Sequence, residues 1–98
     1  MINLNEDPTD IEALFQDDVV MLDGQEFIVN ITPIIGDDGI YLTKNTEEVK
    51  WYLRLSDQEK DKLEYSKYNI HVRDNAGMAV VTREEMIENL KTKQYTIE

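Results

Sequence analysis

The stretch that most constrains this chain is residues 17–42, DDVVMLDGQEFIVNITPIIGDDGIYL. Two apolar runs meet there at Asp23-Gly24. That dipeptide tolerates φ > 0 at both central positions of a tight type I′ hairpin turn. A two-residue turn fixes the register, with Leu22 opposite Gln25, Val20 opposite Phe27 and Asp18 opposite Val29. Directly opposed residues share a face. Val20, Leu22, Phe27, Val29 and Ile31 therefore gather on one side. Val19, Met21, Glu26, Ile28, Asn30 and Thr32 take the other, which is half apolar. Such a hairpin belongs at the centre of a fold, with material packed on each side.

The flanking segments read as short elements. Asp7-Pro8-Thr9-Asp10 is a helix start, with Asp7 able to cap and Pro8 suited to the first helical position. Ile11, Leu14 and Phe15 follow at helical spacing, which predicts a helix over 8–16. Pro33 lacks a donor and marks a strand end or an edge. Gly36-Asp37-Asp38-Gly39 reads as a turn before a third strand at 40–42. Residues 49–55, VKWYLRL, alternate and read as a strand with Val49, Trp51, Leu53 and Leu55 on one face. The competing reading is a helix capped by Thr46. Ser56 with Glu59, and Thr82 with Glu85, are capping boxes. They open predicted helices over 57–66 and 83–92. Strands are expected over 68–73 and 78–81, and Tyr95 and Ile97 alternate as a last short one. The expected core is Leu14, Phe15, Phe27, Val29, Ile31, Trp51, Leu53, Ile70, Val72, Ile87 and Leu90.

These elements predict an α+β fold: a small, mainly antiparallel sheet of five or six strands with two or three short helices. Ninety-eight residues make one domain, 1–98, with 1–6 expected as a loose lead-in. The chain has no cysteine, so disulfides and thiolate metal sites are excluded. MINLNEDP has neither the basic nor the apolar region of a signal peptide. No apolar run is longer than the four residues of Val19 to Leu22, far short of a membrane span. The expectation is a soluble, cytoplasmic protein.

Charge is the main functional clue. Residues 1–48 hold twelve acids and one base, Lys44, a net of −11; residues 49–98 hold nine of each. The whole formal charge of −11 therefore sits in the first half. Such a surface disfavours nucleic acid and anionic membranes as direct partners and favours a basic protein surface.

Chemistry-bearing motifs are scarce. His71 is the single histidine and alternates onto the polar side of its expected strand. No nucleophile elbow or glycine-rich phosphate loop is present. Counted from Asp37, the sequence fails the calcium-loop pattern after the first ligand. The acids lie in turns and helix starts, where water keeps them ionised, whereas a general acid needs burial. The sequence therefore points away from an enzyme, and no cofactor or metal is expected.

In size, cysteine-free composition and acid load the chain is similar in character to the small accessory proteins that phages encode. That likeness spans the chain and rests on no motif. It implies one of two roles, in the host cytoplasm if the chain is phage-encoded. One is an acidic module that docks on a basic partner, in its sharper form a nucleic-acid mimic inhibiting a nucleic-acid-binding protein. The other is a head, neck or tail subunit that works through strand edges and exposed apolar positions. The expected contact residues are Asp17, Asp18, Asp37 and Asp38, with Glu47 and Glu48 in reserve. Tyr52, read on the polar side of its strand, is expected to make contacts in the second role.

Overall fold

The Asp23-Gly24 turn forms and sets the register of the sheet. The computed structural model of the protein describes residues 1–63 and 71–98. Asp23 and Gly24 take φ of 51° and 76°, the left-handed pair that a type I′ turn requires. Strands β2 (Val19–Leu22) and β3 (Gln25–Ile34) pair as expected, Val20 with Phe27 and Leu22 with Gln25. At the far end Asp17 N–H donates to Val29 O at 2.9 Å and Val29 N–H to Asp18 O at 2.8 Å. Two residues thus face one, with Asp17 at φ 72°: a β-bulge that ends the β2–β3 pairing.

Strand β4 (Asp37–Lys44) pairs antiparallel with β3 from Phe27↔Lys44 to Ile34↔Asp37. Asp37 and Asp38, expected in the turn, are therefore strand residues, and Ile35-Gly36 makes the turn. Gly36 supplies the left-handed residue at φ 75°, which closes the loop in two residues and draws the acids into the ladder.

The expected loose lead-in is also ordered. β1 (Ile2–Asn3) lies parallel to β2, and Leu4 is fully buried. With β6 (Val81–Thr82) beside β4, the sheet order is β1-β2-β3-β4-β6. β5 (Val72–Asp74) and β7 (Tyr95–Ile97) form a second, two-stranded sheet, joined to the first by the bridge Thr43↔His71. This is a small α+β fold, as the sequence pattern predicts. Beyond Val29, β3 has no strand on the β2 side among the described residues. That edge is protected: Gln16 Oε1 accepts from Ile31 N–H at 2.7 Å, and Pro33 has no N–H to offer.

One face of the main sheet carries the core. Val20, Leu22, Phe27, Val29, Ile40 and Leu42 pack there against Leu4, Ile11, Leu14 and the buried stripe Met86, Ile87, Leu90. That stripe belongs to α3 (Arg83–Thr92), whose capping box forms as Thr82 and Glu85 require. A 3₁₀ helix, Pro8–Ala13, stands where a helix to 16 was expected. It stops because Leu14 is extended, and alternation then turns Phe15 outward, 74% exposed and not in the core.

Residues 49–55 are not a strand. They fall largely in α1 (Glu47–Leu53), capped by Thr46, whose Oγ1 accepts from Val49 N–H at 3.2 Å. Glu47 and Glu48 in its first turn suit the helix dipole. Helical geometry puts Val49, Tyr52 and Leu53 on one stripe and rotates Trp51 about 200° from Val49. Trp51 is accordingly 48% exposed. α2 (Asp57–Lys60) has its capping box but is one turn long. The end of the predicted helix over 57–66, the start of the strand over 68–73, and Ile70 lie outside the described residues. The strand expected over 78–81 shrinks to Val81–Thr82. Among the described residues no helix is long and apolar enough to cross a membrane.

Candidate binding surfaces

Three pairs of acids were expected to make contacts, and the fold spreads them along β3. Asp17 is exposed in the bulge, its Oδ1 accepting from Gln16 Nε2 at 3.1 Å. Asp18 is half-buried and has a structural task, since its Oδ2 accepts from Phe15 N–H at 2.7 Å. Asp37 and Asp38 are exposed beside the hairpin tip but point to opposite faces of β4. Asp38 lies 4.0 Å from Arg83 Nε. Glu47 and Glu48 are exposed in the first turn of α1, and Glu47 meets Lys50 at 3.4 Å. Asn45 N–H donates to Glu26 O, so α1 begins at the opposite end of β3 from the tip. At ~3.3 Å per residue, the bulge stands ~17 Å and the start of α1 ~26 Å from the tip.

None of the described acids is buried. Of the twelve in the first half, Asp38 and Glu47 have a cation within 4.0 Å among the described residues. The charge is therefore an open acidic shell around the sheet.

Tyr52 is not a surface contact. It is 7% exposed on the inner stripe of α1, with Lys60 Nζ 5.3 Å from its ring centroid. The expected strand would have turned it to solvent; the helix turns it inward.

Asp23 has a different task from its neighbours. Asn5 Nδ2 donates to its Oδ1 at 2.7 Å, and its own N–H donates to Asn5 Oδ1 at 2.7 Å. The Tyr95 hydroxyl donates to both its carboxylate oxygens at 3.0 Å. One turn residue thus ties the segment just after β1 to the last strand. Burial first, then the Asp23 carboxylate, pushes the Tyr95 phenol up to about 12.

The second face of the sheet mixes buried polar residues, Asn30 and Thr43, with the buried Ile28. Asn30, 4% exposed, donates from Nδ2 to Thr43 Oγ1 at 3.1 Å and to Ile28 O at 3.2 Å. Gln16 Nε2 donates to its Oδ1 at 3.3 Å. α1 and α2 leave two clefts over this face. One, of about 430 Å³, has Val19, Ile28 and Leu53 beside Asp17, Lys50 and Arg54. The other, of about 390 Å³, runs between β4, β5 and the two helices and takes in Tyr41, His71, Arg73 and Lys60.

His71, expected on the surface, is 8% exposed. Its bridge to Thr43 places it against β4, and the Tyr41 ring meets it edge-on at 5.6 Å. Its Nδ1 is buried without a hydrogen-bond partner. Burial holds the imidazole below its ordinary value; Arg73 adds to this and Glu98 opposes it. The unfolded chain therefore takes up the proton first as pH falls through about 6.5. The contribution of His71 to stability is full above that pH and is lost as pH falls toward the folded value. The urea midpoint should accordingly drop more between about pH 7.5 and about pH 5.5 in the parent than in His71→Gln. Carboxylate titration is common to both chains and cancels in the comparison. Equal drops would refute the assignment.

Sequence reading missed this second cleft. Its signal was the spacing of His71 and Arg73, which share a strand face. Their neighbours Tyr41 and Lys60 come from elements that only the fold brings near.

No protein-family model matches the chain, no curated protein matches its sequence, and no solved structure matches its fold.

Proposed function

We propose that this protein is a non-enzymatic binding module whose acidic first half docks on the basic surface of another protein. The observation that carries the proposal is the open acidic shell: exposed carboxylates, most without a cationic neighbour among the described residues, on a sheet that holds them in place. Leaving like charges unpaired costs stability through self-repulsion, and a basic partner removes that cost. The acids extend over ~26 Å along β3. Such a spread suits a broad basic surface of the kind that nucleic-acid-binding proteins present, and inhibition by occupying that surface is the sharper form of the proposal.

A second reading, an assembly subunit in a larger complex of the phage head, neck or tail kind, has its own observation. Ile35 stands fully exposed at the tip of the β3–β4 hairpin, beyond the reach of β2 and β6. An apolar tip of this kind fits insertion into a neighbouring subunit.

The deciding experiment is capture of partners from the natural host, followed by affinity measurements at low and physiological salt. Asp37→Asn with Asp38→Asn should leave the fold intact and weaken binding to a basic partner. The on-rate should fall as salt rises, because exposed charges are screened beyond roughly 8–10 Å. Ile35→Ser should have little effect on docking by charge. If the Asn variant binds like the parent at low salt while Ile35→Ser fails, the assembly reading replaces the acidic-surface reading.

A further inference from the structure

We propose that the cleft of about 390 Å³ over the second face binds a small organic anion, an apolar ring-sized body carrying one negatively charged group. This site is separate from the acidic surface and does not depend on its role.

Its size lies within the range of ligand pockets, roughly 300–1,000 Å³. Its charge is the first argument. The chain holds twenty-one acids against ten bases, yet no described acid lines the cleft, while Lys60 and Arg73 both do. Lys60 has no carboxylate partner among the described residues. Arg73 is fixed by Glu98 Oε2 at 2.6 Å and by Gly77 O at 3.0 Å. Those two bonds hold the guanidinium in place and leave further N–H donors. The Arg73 charge is offset by Glu98, so Lys60 supplies the net positive charge and Arg73 the oriented donors, and a cation so placed in a strongly acidic protein favours an anion there.

The second argument is the walls: Leu53 and Val80 are apolar, and the Tyr52 and His71 rings add flat surfaces. A bare inorganic anion cannot use these walls, whereas an aryl anion can.

The probe is 1-anilinonaphthalene-8-sulfonate, titrated by fluorescence and by heat into the full chain at low salt, with inorganic phosphate as the second arm. The sulfonate should bind saturably at one site, and phosphate at least about tenfold more weakly. Lys60→Glu should weaken sulfonate binding about tenfold or more. Lys91→Glu, the same charge change on the exposed side of α3, should leave it within about twofold. Ala79→Trp, which fills the cleft, should abolish it. Circular dichroism of each variant establishes that it is folded, and backbone amide shifts on titration should move at Thr43, His71 and Arg73. Absence of saturable binding, equal effects of the two lysine variants, or retained binding in folded Ala79→Trp would each overturn the proposal, the last marking the probe as adventitious.

Discussion

Truncation of Phe27 to Ala should lower stability by about 3–5 kcal/mol, the usual cost of deleting a buried aromatic ring. Phe27 is fully buried on the third of five strands, between Val20 on β2 and Lys44 on β4. Ile11 in the 3₁₀ helix, Leu14 just after it, and Met86, Ile87 and Leu90 of α3 are buried in the same core cluster. A domain of this size has only about 5–15 kcal/mol of stability in total, so a large share of it should vanish. The urea midpoint should fall steeply with an unchanged slope. Phe27→Leu, which keeps most of the volume, should recover more than half of the loss. A cost below about 1 kcal/mol would mean that the hairpin register is wrong, since a one-residue slip sends Phe27 to the other face.

The second large effect is expected at Arg83. One of its terminal nitrogens, Nη1, donates to Ile11 O at 2.7 Å and to Leu14 O at 2.8 Å. These carbonyls lie at the end of the 3₁₀ helix, where the helix itself leaves acceptors without intrahelical donors. Arg83 sits in the first turn of α3, where a cation opposes the helix dipole. Its position is explained by the clamp, not by helix preference. Arg83→Met keeps the aliphatic stem and should cost about 1.5–3 kcal/mol, the range for a hydrogen bond to a charged group. Relief of the dipole clash returns a few tenths of that. Amide exchange in the 3₁₀ helix should rise more than in β3. Arg83→Lys should be intermediate, because an ammonium lacks the planar fork. Asp38→Asn should hardly change stability, because its contact with Arg83 is long and exposed. That is why the acid-to-amide pair tests partner binding without disturbing the fold.

The functional proposal and the hairpin are linked. β2 leaves β3 at the Asp17–Asp18 bulge, and β6 touches β4 only at Gly39 and Ile40. The tip that carries Ile35, Asp37 and Asp38 is therefore flanked by no other strand among the described residues. Gly39 anchors its base: a Cβ there would lie 2.8 Å from Thr32 O and 2.9 Å from Val80 Cγ1. The same close approach brings Val80 against the sheet and shapes one wall of the second cleft.

What the sequence determined alone is local. Asp23-Gly24 dictated a turn, the turn dictated a register, and the register dictated which face Phe27 and Val29 bury, all through backbone sterics and a period of two. Thr82 with Glu85 likewise placed α3, because capping bonds close within four residues. Where local signals conflicted, the tertiary structure decided. VKWYLRL alternates like a strand, yet it follows a Thr cap and two acids. It becomes a helix, so Tyr52 goes inside and Trp51 outside. Phe15 has helical spacing from Ile11, but the helix stops short and exposes it. The acids show the same limit. Their number was legible in the sequence, while their arrangement depended on where β2, β4 and α1 begin along β3. His71 marks it most plainly: its burial comes from Thr43, Tyr41 and Glu98, distant in sequence, and only long-range pairing brings such groups together.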